Sequence, residues 1–171
     1  MKMLTTQIAG LLQRIATKQE EAIEDTARLL AQAAVGDGQV VIYGSKEMNG
    51  ILTNATEGAE SFAYATRMAA DVNPQSTDRV WLFTRNAHDE EALEFARFLS
   101  SQAISFAAVA ADKASETNEL AELADAYIST GITKGLLPND EGDRVVQPHL
   151  LASLFVYEAV KLSYDEMLTD L

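Results

Sequence analysis

The sequence predicts an α/β protein: a three-layer αβα sandwich around a central parallel sheet, flanked by long N- and C-terminal helices. Three observations carry this. Short apolar, β-branched runs alternate with helical patterns through the middle of the chain, and such alternation builds a parallel sheet covered on both faces. Apolar residues recur at three-and-four spacing from residue 3 to 34, the period of a helix face. The stretch after Pro148 is apolar on most sides, as in a buried or interface helix.

The elements follow in order. Leu4, Ile8, Leu11, Ile15, Ala22, Thr26, Leu29 and Ala33 define one long helix over residues 3–34, ended by Gly36-Asp37-Gly38, since glycine accepts the left-handed conformation that closes helices. Its length suits packing along another long helix, in this chain or in a second subunit. Val40 to Tyr43 reads as a strand buried on both faces. Residues 45–56 carry a weak helical pattern through Met48, Ile51, Leu52 and Ala55, and Ser61 to Arg67 fits either strand or helix. Asn73-Pro74 marks a turn. Arg79 to Thr84 (RVWLFT) predicts a strand with Trp81 in the core. Asp89 to Ser101 predicts a helix with Ala92, Phe95, Ala96 and Leu99 on one face. Ile104 to Ala110 is a further strand, Leu120 to Ala124 a short helix and Ala126 to Ser129 a last short strand. Residues 131–146 read as loop. Pro148 suits the first turn of a final helix reaching about Leu168, where its missing N–H leaves nothing unpaired. The acidic Asp165, Glu166 and Asp170 form a solvated face.

Composition narrows the function. The 171 residues, 47% of them apolar, suit one domain over residues 1–171 with its own core. No apolar run approaches the roughly 18 residues of a membrane span. The start, MKMLTTQIAG, reads as lacking a secretory leader. There are no cysteines, which excludes disulfides and thiolate metal sites and fits a reducing cytoplasm. With 26 acidic against 13 basic residues the net charge is −13, so nucleic acid is not an expected partner. An anionic ligand needs a local positive site on such a protein.

In parallel sheets ligands bind beyond the carboxyl ends of the strands. Two junctions lie there. Gly44-Ser45-Lys46-Glu47-Met48 follows the first strand, and Thr84-Arg85-Asn86-Ala87-His88-Asp89 follows RVWLFT. Each opens a helix, whose free N–H groups and dipole attract anions. Candidate ligand-binding residues are therefore Gly44, Ser45, Lys46, Glu47, Met48, Thr84, Arg85, Asn86 and His88. The same junctions also read as ordinary strand-to-helix turns, with Gly44 giving room and Asp89 capping the next helix. His149 reads either as an acid/base group suited to neutral pH or as a helix-start residue bonded to a neighbour.

The leading helix, VVIYG, DRVWLFT, ISFAAVAA and RVVQPHLLASLF follow one another as in the SIS (sugar isomerase) domain. The chain resembles that phosphosugar-binding family, in its phosphoheptose-isomerase branch or a small SIS-like family beside it. The resemblance implies a sugar-phosphate ligand, no cofactor, and a homodimer or homotetramer built through the terminal helices; no metal is expected, since one matching histidine and no cysteine make a poor site. In the family's first phosphate loop, only Gly44 matches clearly. In the second, Thr84 keeps one hydroxyl, and Asp89-Glu90-Glu91 stand where a helix start meets phosphate. The aldose–ketose chemistry of the branch implies a His and a Glu after the first strand, which fall on Ile51 and Ala55 or on Asn54 and Gly58. Glu57 is one position away. His149 matches a family histidine, whereas the accompanying Gln and second His fall on Val146 and Leu154. Glu57 and His149 are thus the remaining candidate catalytic residues, with Glu47 and His88 as further acid/base groups near the loops. Three readings compete: a sugar-phosphate isomerase, a module that binds a metabolite without converting it, and a structural dimerisation protein with a vestigial pocket.

Overall fold

The computed structural model describes residues 1–112 and 117–169. Asp170 of the expected acidic face lies outside the described residues. Five parallel strands form the central sheet: β1 (Val40–Gly44), β2 (Ala65–Arg67), β3 (Arg79–Asn86), β4 (Phe106–Ala111) and β5 (Ala126–Ser129), in the order β2-β1-β3-β4-β5. The helices are α1 (Lys2–Lys18), α2 (Glu20–Val35), α3 (Asn49–Glu57), α4 (Glu90–Ser101), α5 (Glu119–Leu123) and α6 (His149–Thr169).

Strand alternation divides the core into two. Val40, Ile42, Trp81, Phe83, Val109 and Ile128 face one side, against α1, α2, α3 and α6. Val41, Val80, Leu82, Phe106 and Ala108 face the other, against α4 and α5. Successive side chains of a strand point to opposite faces, so strands covered on both sides must be apolar throughout, as VVIY and RVWLF nearly are. The expected three layers are present, and Trp81 is fully buried between Phe62, Phe83 and Tyr157. The undecided stretch before Arg67 contains the short strand β2. Among the described residues, no helix is long and apolar enough to cross a membrane.

Two expectations are corrected. The helix expected over 3–34 is two helices, broken at Gln19, where the backbone leaves the helical region at φ −113° and ψ 14°. No glycine or proline causes the break. The Gln19 amide oxygen accepts the Ser129 N–H at 3.1 Å, tying the joint to the end of β5. The stretch 131–146, expected as loop, contains a small antiparallel hairpin, β6 (Leu137–Pro138) paired with β7 (Arg144–Val145). The Arg144 guanidinium donates to the Gly135 and Leu136 carbonyls and braces it. The final helix begins at His149, one residue later than Pro148, whose carbonyl accepts the Ala152 N–H.

The strand order positions the site. From β1 the chain moves to one edge for β2, then crosses back to β3 and proceeds to the other edge. The connections after β1 and β3 therefore leave in opposite directions, opening a crevice between them at the carboxyl end of the sheet.

Candidate functional site

Both junctions singled out in the sequence border this crevice. After β1 the chain makes one 3-10 turn (Lys46–Met48) before α3. Gly44 is required there: a Cβ on it would stand 2.7 Å from the Met48 carbonyl oxygen and from the Leu52 Cδ1. Lys46 adopts φ +53°, an uncommon and strained value for a non-glycine residue, and it is exposed. After β3, the register against β4 shifts between Phe83 and Asn86, three residues of β3 matching two of β4. Such a bulge re-aims side chains at a sheet's end, here around Thr84 and Arg85.

The expected binding residues separate into five groups. Met48 is fully buried in the core, so its side chain is structural. Ser45 and Thr84 are also buried, and the Ser45 hydroxyl donates to the Thr84 Oγ1 at 3.3 Å, stitching β1 to β3 beneath the crevice. Lys46, Asn86 and His88 line an open cleft of about 490 Å³, with Asp89 and Asp112 on its walls. Arg85 and Glu47, both partly exposed, form a two-pronged ion pair beside it, Nε to Oε1 and Nη2 to Oε2, each 2.8 Å. Gly44 supplies the turn and contributes no side chain.

Electrostatics tie these groups together. The Arg85 guanidinium holds the Glu47 carboxyl below its usual range, and Glu47 in turn raises Arg85. His149, buried at the start of α6, feels both charges. Burial pushes its imidazole below the usual range, Arg85 adds to that, and Glu47 opposes it. On the other side, the Lys46 ammonium donates to Asp89 Oδ2 at 2.5 Å. Asp89 also accepts the Ala92 N–H at 3.3 Å as the N-cap of α4. Each cation at the crevice thus faces a carboxylate from the neighbouring junction.

Glu57 is not brought here. It lies in the last turn of α3 and approaches Arg67 at 3.7 Å. Ile51 and Ala55, the positions where the resemblance puts acid/base groups, are fully buried in the core. Sequence reasoning missed Asp112 and the Glu47–Arg85–His149 cluster. Nothing local signals a grouping whose members are 38 residues or more apart. Among the described residues, no group of three potential metal ligands comes together.

Together, the sheet order and the terminal helices give the fold of the SIS domain, with the cleft at the carboxyl end of its sheet. A protein from Bacteroides fragilis NCTC 9343, described as a candidate phosphosugar isomerase involved in capsule formation, is similar in fold, with TM-score 0.69 at 16% identity, over 97% of this chain and 92% of that one. The NanR protein of Vibrio vulnificus, solved in complex with ManNAc-6P, matches with TM-score 0.60 at 13% identity, over 96% of this chain and 66% of that one. Residues 1–168 match the model of DUF2529, a domain of unknown function, and the chain belongs to that family. The uncharacterized protein YwjG of Bacillus subtilis (strain 168) is 30% identical over 171 residues, 99% of this chain and 98% of YwjG.

Proposed function

We propose that this protein binds a sugar phosphate over the carboxyl ends of β1 and β3 and does not isomerise it. One observation carries the reading. A cleft edged by the cation Lys46 and by Asn86 and His88 opens at the topological switch point, while Ile51 and Ala55 are sealed in the core. The cleft's one lysine, Lys46, suits an anionic head group, and the Asn86 amide and the carboxylates of Asp89, Glu90 and Asp112 suit sugar hydroxyls. The Lys46–Asp89 and Arg85–Glu47 pairs act as internal stand-ins for the ligand, so a phosphate must displace a carboxylate to use either cation fully. NanR, a SIS-fold protein with a sugar phosphate bound, makes a ligand of this class a natural choice for the first panel. The protein is further proposed to self-associate through α1 and α6.

Thermal shift against sedoheptulose 7-phosphate, hexosamine phosphates and pentose phosphates tests this, because a ligand of the folded state alone raises the melting temperature by mass action. At least one phosphosugar is expected to raise it, Arg85→Ala to weaken the response, and the ligand to be recovered unchanged. Silence across the panel at millimolar concentration overturns the reading.

A second reading, catalysis by Glu47 and His149, is favoured by the electrostatic interaction between Glu47 at the β1 junction and His149 at the start of α6. Aldose–ketose isomerisation needs one group to take a proton from carbon and another to protonate oxygen. Against it, Glu47 is a weak base while Arg85 holds it. Incubation in deuterated water separates the two: deuterium entering at the carbon beside the carbonyl means turnover.

A further inference from the structure

The joint between α1 and α2 borders a second cavity, of about 400 Å³, on the other side of the 129–133 segment from the first cleft. We propose that it is a binding site for a small, hydroxyl-bearing oxyanion. Arg14, Lys18 and Gln19 line it from the helical side, and Ser129, Thr130 and Gly131 line it from the end of β5.

Four features point to such a ligand. Arg14 and Lys18 stand one turn apart on α1, where like charges repel. Neither makes an ion pair or hydrogen bond with a described residue, whereas Arg28, Lys46, Arg67, Arg85, Arg97 and Lys161 all face carboxylates. On a chain of net charge −13, two neighbouring cations that touch no carboxylate among the described residues make the helical wall of this cavity locally positive. Thr130 is only 3% exposed, and its hydroxyl is buried without a hydrogen-bond partner. A buried hydroxyl left without a partner is uncommon in a folded chain and marks the segment that lines this cavity. Gly131 has φ +63° and open space where a Cβ would point, so backbone is approachable there. Asp112 explains the hydroxyls. It accepts from the Ser129 hydroxyl and from Asn118 Nδ2, and its carboxylate oxygens have lone pairs left for a ligand O–H.

Asp112 and Thr133 line both cavities. A ligand engaging Ser129 or Asp112 from the helical side therefore acts on the wall of the first cleft. Arg14, Lys18, Gln19, Ser129 and Thr130 do not line the first cleft, so binding at the second site is read separately from whatever the first one binds.

The test is an amide ¹H–¹⁵N titration of the full chain with glycerol 3-phosphate and, separately, with glycerate. These are three-carbon hydroxylated anions differing in phosphate and carboxylate. The N–H signals of Gln19, Ser129, Thr130 and Gly131 are expected to move and saturate with at least one probe. In the Arg14→Gln/Lys18→Gln variant the binding should weaken at least tenfold. In Lys46→Gln, which alters only the first cleft, it should persist. Both substituted cations are exposed and make no bond with a described residue, so an unchanged spectrum elsewhere will attest the fold. A response to glycerol 3-phosphate alone assigns a phosphate ligand, and a response to both assigns the oxyanion generally. The proposal is overturned if these amides stay still at millimolar probe, or if the double variant titrates like the parent.

Discussion

At His149, burial and the Arg85 guanidinium act against a proton, and Glu47 acts for one. The consequence is a pH-dependent stability of definite sign. An unfolded histidine takes its proton near its ordinary value of 6.5, while the folded one resists until lower pH. Its contribution is complete above 6.5 and is lost as pH falls through the folded value. Glu47, held low by Arg85, has the same sign lower down: its contribution is complete above 4.5 and is lost as pH falls through its folded value. The melting temperature is therefore expected to fall as pH drops from 7 to 4, in two stages. In His149→Gln the stage beginning at 6.5 should vanish and the acid stage remain, as calorimetry across that range will read. An upper stage unaltered by the substitution would remove His149 from this account. Gly44 sets a second constraint at the same scale. Gly44→Ala forces a methyl group against the Met48 carbonyl, and overpacking of this kind costs about 1–3 kcal/mol. Urea unfolding should show that loss, with the Lys46 turn displaced.

Among the elements, α4 couples stability to the cleft through one side chain. Asp89 caps the helix and also neutralises Lys46. Asp89→Ala is expected to cost about 1 kcal/mol as a lost N-cap. It should also tighten sugar-phosphate binding, since Lys46 is released and a carboxylate leaves the cleft wall. Chemical denaturation and a binding isotherm read the two effects separately. Weaker binding in the variant would mean that Lys46 needs Asp89 to orient it. The same elements show what a sequence can and cannot disclose. β1 and β3 were legible because strands buried on both faces must be apolar at every position. α4 was legible because Asp89 and its apolar face are local signals. The break between α1 and α2 was not, because Gln19 is no helix breaker: its amide answers the Ser129 N–H, 110 residues away. Nor was the β3 bulge, which is defined only against β4. The junctions of the candidate site were legible as strand-to-helix turns. Their internal ion pairs were not, since pairing of Glu47 with Arg85 depends on how β1 and β3 sit side by side.

Over the whole molecule, charge and apolar surface pull in opposite directions. α6 is apolar on most sides, yet Leu151 and Leu162 remain 40% and 69% exposed, with Phe155 half-buried between them on the same outer face. Met3 of α1 is 63% exposed. Those side chains favour association, whereas a net charge of −13 on each copy repels a second one. The repulsion acts through solvent and is screened over about 8 Å at 0.15 M salt, while apolar burial is not weakened by salt. The proposed self-association should therefore tighten from 20 to 300 mM sodium chloride, opposite to an interface held by ion pairs. Leu162→Glu places a charge in the apolar patch without touching the core, and should shift the protein toward monomer at every salt concentration with its melting temperature otherwise intact. Sedimentation velocity over that salt range reads both effects. A species that is monomeric throughout would exclude the association, and one that dissociates as salt rises would place the interface on charged surface away from α6.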